Sequence, residues 1–125
     1  MKIIITASSD NMDQPFSPRF GRAEYFILID SSTRAWEAFP NPAIHTRGGA
    51  GPQAVQFIAD KGADVVISGR YGPSAFSALE AAGIQAFIAY QGTVDQVFEQ
   101  HLAGELESTN TATGPELHGR GRRSL

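Results

Sequence analysis

There is no cysteine in this 125-residue chain. That rules out disulfides, thiolate nucleophiles and cysteine-ligated zinc or iron–sulfur sites. A metal must be held here by histidine, carboxylate or backbone, or must arrive inside a preformed cluster that carries its own ligands. No apolar run approaches the roughly 20 residues of a membrane-spanning helix. The apolar opening, residues 1–5, stops at Thr6 and runs into Ser8-Ser9-Asp10-Asn11, too soon for a signal-peptide core. The expectation is a cytoplasmic protein without membrane contact. Positive charge is scarce too. The net charge of −3 argues against nucleic acid as the main partner, because neutralising phosphates requires a basic face. Neither a Gly-x-x-x-x-Gly-Lys-Ser/Thr loop nor a Gly-x-Ser-x-Gly elbow occurs. Asp10, Asp13, Asp30 and Asp64 fall at different ends of the expected sheet and do not form a two-metal centre. No catalytic residue is therefore assigned, and the chain reads as a non-enzyme.

What is present suffices for one domain with one core: 42% of the residues are hydrophobic. Residues 2–7 are a short, continuous, β-branched apolar run, the pattern of a strand buried on both faces; 24–30 is again continuously apolar and reads as a second interior strand, and 64–68 is another short apolar strand. Ser31-Ser32-Thr33 is short enough to return the chain as a hairpin into an edge strand at 34–39, ended by Pro40 and Pro42. Three amphipathic helices follow. One starts near Pro52 with Ala54, Val55, Ile58 and Ala59 as its stripe, and the next near Pro73 with Ala75, Phe76, Leu79 and Ala82. The last begins at Thr93, with Gln96 completing a capping box, and ends near His101, read as interacting with the helix carbonyls. A strand at 85–89 separates the second and third helices. From Gly104 the composition turns to Ser, Thr, Asn, Gly and Arg. Residues 106–125 read as a mostly disordered tail whose basic end is either solvated or touches an acidic partner.

The order β-β-β-α-β-α-β-α predicts an α/β domain over residues 1–105. Its mixed five-stranded sheet takes the order 3-2-1-4-5, with strand 2 antiparallel to the rest. Strands 1 and 4 then leave the sheet at one edge with connections running to opposite sides, where open α/β sheets bind ligands. Three loops meet there. The first carries Ser17, Arg19, Phe20, Gly21 and Arg22; the second His45, Arg47, Gly49 and Gly51; the third Gly69, Arg70, Tyr71 and Gly72. Glycines let a ligand approach backbone N–H groups, helix starts carry about half a positive charge, and the arginines add full ones. The combination suits a compact polyanion held without covalent protein ligands. Alternatives stand beside this reading. The arginines are also explained as solvated loop charges, the glycines as turn formers, His45 as a metal ligand or a solvated side chain, and Tyr71 as a ligand donor or a lid over the sheet end. At the level of function, a regulatory interaction module without cofactor and a phosphate or nucleotide binder remain open.

The run Ser17-Pro18-Arg19-Phe20-Gly21-Arg22-Ala23-Glu24-Tyr25-Phe26 resembles the signature of the dinitrogenase iron–molybdenum cofactor biosynthesis family. The resemblance continues through Gly49-Ala50-Gly51-Pro52-Gln53-Ala54-Val55, residues 67–76 and residues 79–84, and covers positions 1 to about 105. It implies a ribonuclease H-like, three-layer fold without nuclease activity, and non-enzymatic binding or carrying of a molybdenum-containing sulfide cluster, of molybdenum–copper or iron–molybdenum type. It also implies a cluster-donor or cluster-acceptor protein as partner. The position before Phe20-Gly21 is commonly histidine in that family. Arg19 in its place implies electrostatic capture rather than imidazole ligation.

Overall fold

A computed structural model describes residues 1–46 and 48–109. Strand β1 (Lys2–Ala7) is the centre of the molecule. From Ile3 to Ala7 every residue is buried, because β1 pairs on both sides: antiparallel to β2 (Tyr25–Asp30) and parallel to β4 (Val65–Ser68). The hairpin after β2 closes on Asp30. Its carboxylate accepts from the Ser32 amide (2.9 Å) and hydroxyl (2.6 Å), and these bonds hold it below the usual carboxylate range. Arg34 is left-handed, with φ 65°. The returning strand β3 therefore begins at Trp36 and ends at Pro40, not over 34–39: the residue expected to start the strand is spent in the turn.

Helices α1 (Ala50–Asp60) and α2 (Pro73–Ala82) cover one face of the sheet, and α3 (Val94–Leu102) covers the other. Strand alternation feeds both layers. Ile4, Phe26 and Val66 join α1 and α2 in one core, while Ile3, Ile5, Ile27, Val65 and Ile67 meet Val94, Val97 and Phe98 in the second. The capping box expected at Thr93 and Gln96 is formed.

The sheet has six strands in the order β3-β2-β1-β4-β5-β6, where β5 is Gln85–Ile88. The expected inner order and the antiparallel β2 hold; the five-strand count does not. β6 (Glu107–Thr109) pairs antiparallel with the outer edge of β5, in residues read from sequence as part of the tail. Glu-Ser-Thr has no apolar alternation, because an edge strand of three residues needs only ladder hydrogen bonds and the Leu106 contact to the core. Residues 110–125, the rest of the expected disordered tail, lie outside the described residues.

His101 does not serve the helix carbonyls as expected. Its ring stands edge-on against Phe87, with centroids 4.6 Å apart, and burial holds its pKa below 6.5. The folded state thus prefers the neutral imidazole. Between the lowered native pKa and the unfolded value the unfolded chain binds more protons. Stability is complete above about pH 6.5 and falls as pH drops below it. His101→Gln is expected to flatten the fall in Tm between about pH 7 and 5 relative to the parent chain, measured by paired thermal melts. Parallel curves would overturn this.

Candidate functional site

The chain between β1 and β2 is a strap tied to the ends of the two central strands. Thr6 and Ser68 stand opposite each other one position beyond the Ile5–Ile67 pair, both fully buried. The Thr6 hydroxyl donates to the Ser17 carbonyl (2.6 Å) and shares a hydrogen bond with Ser68 Oγ (2.8 Å), while the Ser17 amide donates to the Thr6 carbonyl (2.8 Å). Pro18 then lies directly on Gly69, where a Cβ would come within 2.6 Å of the Pro18 carbonyl oxygen. Next, Arg19 and Arg70 form a parallel bridge, and the Phe20 amide donates to the Arg70 carbonyl (3.1 Å). Phe20 is buried between Phe26 and Tyr71, with ring centroids at 5.6 and 5.7 Å. Gly21 sits in a 3₁₀ turn, Phe20–Arg22, that packs on the start of α1; a Cβ built on it lies 4.0 Å from the Gly51 nitrogen. Asn41, buried, donates to the Ala23 carbonyl (2.9 Å) and so fixes the chain leaving β3 to the end of the same strap.

These ties bring two helix starts together. Gly51, in the first turn of α1, leaves no room for a side chain: its Cβ would fall 2.8 Å from Ala75 Cβ in the first turn of α2. The N-caps Gly49 (φ 72°) and Gly72 contribute no side-chain oxygen, and neither first turn holds an acidic residue. α3, by contrast, has both a capping box and Asp95. Three exposed arginines, Arg19, Arg22 and Arg70, border this edge. The ion pair found among the described residues is Arg34–Glu99 (2.6 Å), so none of the three has a carboxylate partner there. Like charges on directly paired residues repel. A site that sets Arg19 beside Arg70, next to two positive helix ends, is electrostatically suited to an anion shared between guanidinium and backbone N–H donors.

The expected site residues divide accordingly. Arg19, Gly21, Arg22, Gly49, Gly51, Gly69, Arg70 and Gly72 fall at this edge, but Gly51 and Gly69 owe their identity to helix and strap packing rather than to a ligand. Ser17 contributes its backbone to the strap anchor. Phe20 and Tyr71 are core residues. The Tyr71 hydroxyl donates to the Phe87 carbonyl (2.6 Å), with the Val66 carbonyl at 3.2 Å. Complete burial pushes the phenol pKa well above its ordinary value. Its side chain is neither an exposed ligand donor nor a lid over the sheet end. His45 is exposed in the turn after Asn41, and no three His, Asp or Glu side chains converge among the described residues. Arg47 lies outside the described residues. Thr6, Ser68 and Asn41 were not anticipated. Their signal was a polar residue at the end of each of two apolar runs, and an asparagine between Pro40 and Pro42.

Thr6→Val keeps the shape but removes the strap's shortest anchor. It is expected to cost about 1–2 kcal/mol, the loss of a buried hydrogen bond. Urea unfolding at constant m would show it, and an unchanged midpoint would contradict it.

The α/β domain thus gathers at one sheet edge three arginines without carboxylate partners among the described residues and two helix starts without side-chain caps. Residues 1–104 match the family described as dinitrogenase iron-molybdenum cofactor, and the chain belongs to that family. It is similar to the apo form of the orange protein from Desulfovibrio gigas, at 36% identity and a TM-score of 0.88, covering 90% of this chain and 96% of the other. It is also similar to a Thermotoga protein of the DUF35 family, at 32% identity and a TM-score of 0.82 over 91% and 97% of the two chains. An uncharacterised protein of Methanocaldococcus jannaschii is 28% identical over 110 residues, 86% of this chain and 90% of that one.

Proposed function

We propose that this chain is a non-enzymatic carrier of an anionic, molybdenum-containing metal–sulfide cluster, of molybdenum–copper or iron–molybdenum type, held without covalent bonds to protein. One observation carries the reading: Arg19, Arg22 and Arg70, all exposed and without carboxylate partners among the described residues, border the edge where α1 and α2 begin side by side. The donor set favours a ligand that brings its own sulfur. The chain has no cysteine, and no group of three metal-ligating side chains occurs among the described residues. Guanidinium groups and backbone N–H donors do not ligate a metal, but they do hydrogen-bond the outer sulfides of a cluster anion. Family membership supports the same class of cargo. The reading takes the fold as ribonuclease H-like, on the order β3-β2-β1-β4-β5 with β2 antiparallel. It places the protein in the cytoplasm, where a donor or acceptor protein exchanges the cluster with it.

The test is reconstitution. Apo protein mixed with tetrathiomolybdate and copper, then gel-filtered, is expected to carry molybdenum and visible absorbance in the protein peak. Metal-free protein at every ratio tried would end the proposal.

A further inference from the structure

We infer that Tyr90 is a fourth side chain of the cluster site, donating its hydroxyl to an outer sulfide of the bound anion. This rests on the cluster-carrier reading and extends it to a residue outside the three loops already described. Tyr90 is 83% exposed, the most exposed large aromatic or apolar side chain among the described residues. Its hydroxyl makes no hydrogen bond among those residues, unlike that of the buried Tyr71. Its place in the sheet gives the exposure a direction. β4 and β5 run parallel with Ser68 opposite Ile88, and the Ala89 amide continues the ladder onto the Ser68 carbonyl (3.0 Å). Two residues beyond that last pair stand Arg70 and Tyr90. Each follows the end of its strand, so the two chains leave the sheet at the same edge, from strands that are neighbours in it. Arg19 bridges to the other side of Arg70. Across the edge the row therefore reads Arg19, Arg70, Tyr90: two cations and a neutral O–H donor.

Beside arginines that lack carboxylate partners among the described residues, Tyr90 supplies what the guanidinium groups lack. It offers a rigid apolar ring that covers a large, weakly hydrated anion, and a single directed donor. The ligand class is a thiometallate or sulfide-bridged cluster with terminal sulfides, not a small hydrated oxyanion, which gains nothing from the ring.

Binding of tetrathiomolybdate with copper, followed by equilibrium dialysis and metal analysis, tests this in four proteins: wild type, Tyr90→Phe, Tyr90→Ala and Trp36→Ala. Trp36 is also exposed (45%) but begins β3 at the opposite end of the sheet. Tyr90→Phe is expected to raise Kd about tenfold, the effect of losing a hydrogen bond to a charged acceptor, and Tyr90→Ala further. Trp36→Ala should bind as wild type does, and the two Tyr90 variants should melt with wild type. Unchanged binding by Tyr90→Phe overturns the inference while leaving the carrier reading intact. Failure of the wild type to bind overturns both.

Discussion

Gly69→Ala is expected to lower Tm by roughly 10–20 °C and to detach the strap from the central strands. The added Cβ would lie 2.6 Å from the Pro18 carbonyl oxygen and 3.1 Å from Pro18 Cα. Both are backbone atoms, so no flexible side chain can swing away. Nor is backbone conformation at issue, since Gly69 is absent from the positive-φ positions. The strap has to lift. Lifting it pulls apart the Arg19–Arg70 bridge, breaks the Phe20 amide bond to the Arg70 carbonyl and withdraws Phe20 from between Phe26 and Tyr71. Overpacking of this kind costs about 2–3 kcal/mol, and each kcal/mol shifts Tm by about 4–8 °C in a domain of this size. Gly21→Ala is the matched control. Its Cβ meets nothing nearer than the Gly51 nitrogen at 4.0 Å, so its Tm should stay within about 2 °C of wild type. Calorimetry on the two variants decides the matter: equal melting points would mean that Pro18 does not rest on Gly69 as described.

Gly69 and Gly51 mark the limit of what the sequence reveals. The strand order was legible because β1, β2 and β4 are continuous apolar runs, a three-residue turn permits little but a hairpin, and helical crossovers have one hand. The convergence of the loops carrying Arg19, Arg22 and Arg70 followed from that order. What a glycine touches did not. Gly51 and Gly69 look like ligand-facing positions in a Gly-rich loop, yet one is filled by Ala75 and the other by Pro18. Tyr71 misleads for a related reason. Flanked by Arg70 and Gly72 it reads as exposed, but its ring completes the core with Phe20, and its hydroxyl is satisfied by the Phe87 carbonyl of the adjacent strand β5. Thr6 and Ser68 gain their meaning only from register, which brings them together from positions far apart in sequence, and Tyr90 gains its own from the strand end it follows. β6 was invisible because a three-residue polar edge strand carries no burial pattern.

Charge reversal at the edge should separate binding from folding. Arg22→Glu is expected to weaken cluster binding by about tenfold or more, since it removes a charge-assisted donor and sets a carboxylate against the anion. The triple change Arg19→Glu, Arg22→Glu, Arg70→Glu should abolish retention on gel filtration. Tm should move little in either protein, because these side chains are exposed, lack carboxylate partners among the described residues, and in the parent repel one another at the Arg19–Arg70 bridge. Lys2→Glu makes the same change in charge at the far end of β1 and should leave binding intact, which distinguishes a local site from net charge alone. Arg22→Lys is the finer instrument. It keeps the cation but loses the planar fork, so intermediate affinity implies directed guanidinium bonds, whereas full affinity implies a simple field effect. Salt supplies the independent check. Affinity of the parent should fall between about 0.05 and 0.5 M sodium chloride, as the Debye length shrinks from roughly 14 to 4 Å, and the triple variant should show no such dependence. A triple variant that folds and still retains the cluster would remove Arg19, Arg22 and Arg70 from the site, and with them the observation on which the carrier reading stands.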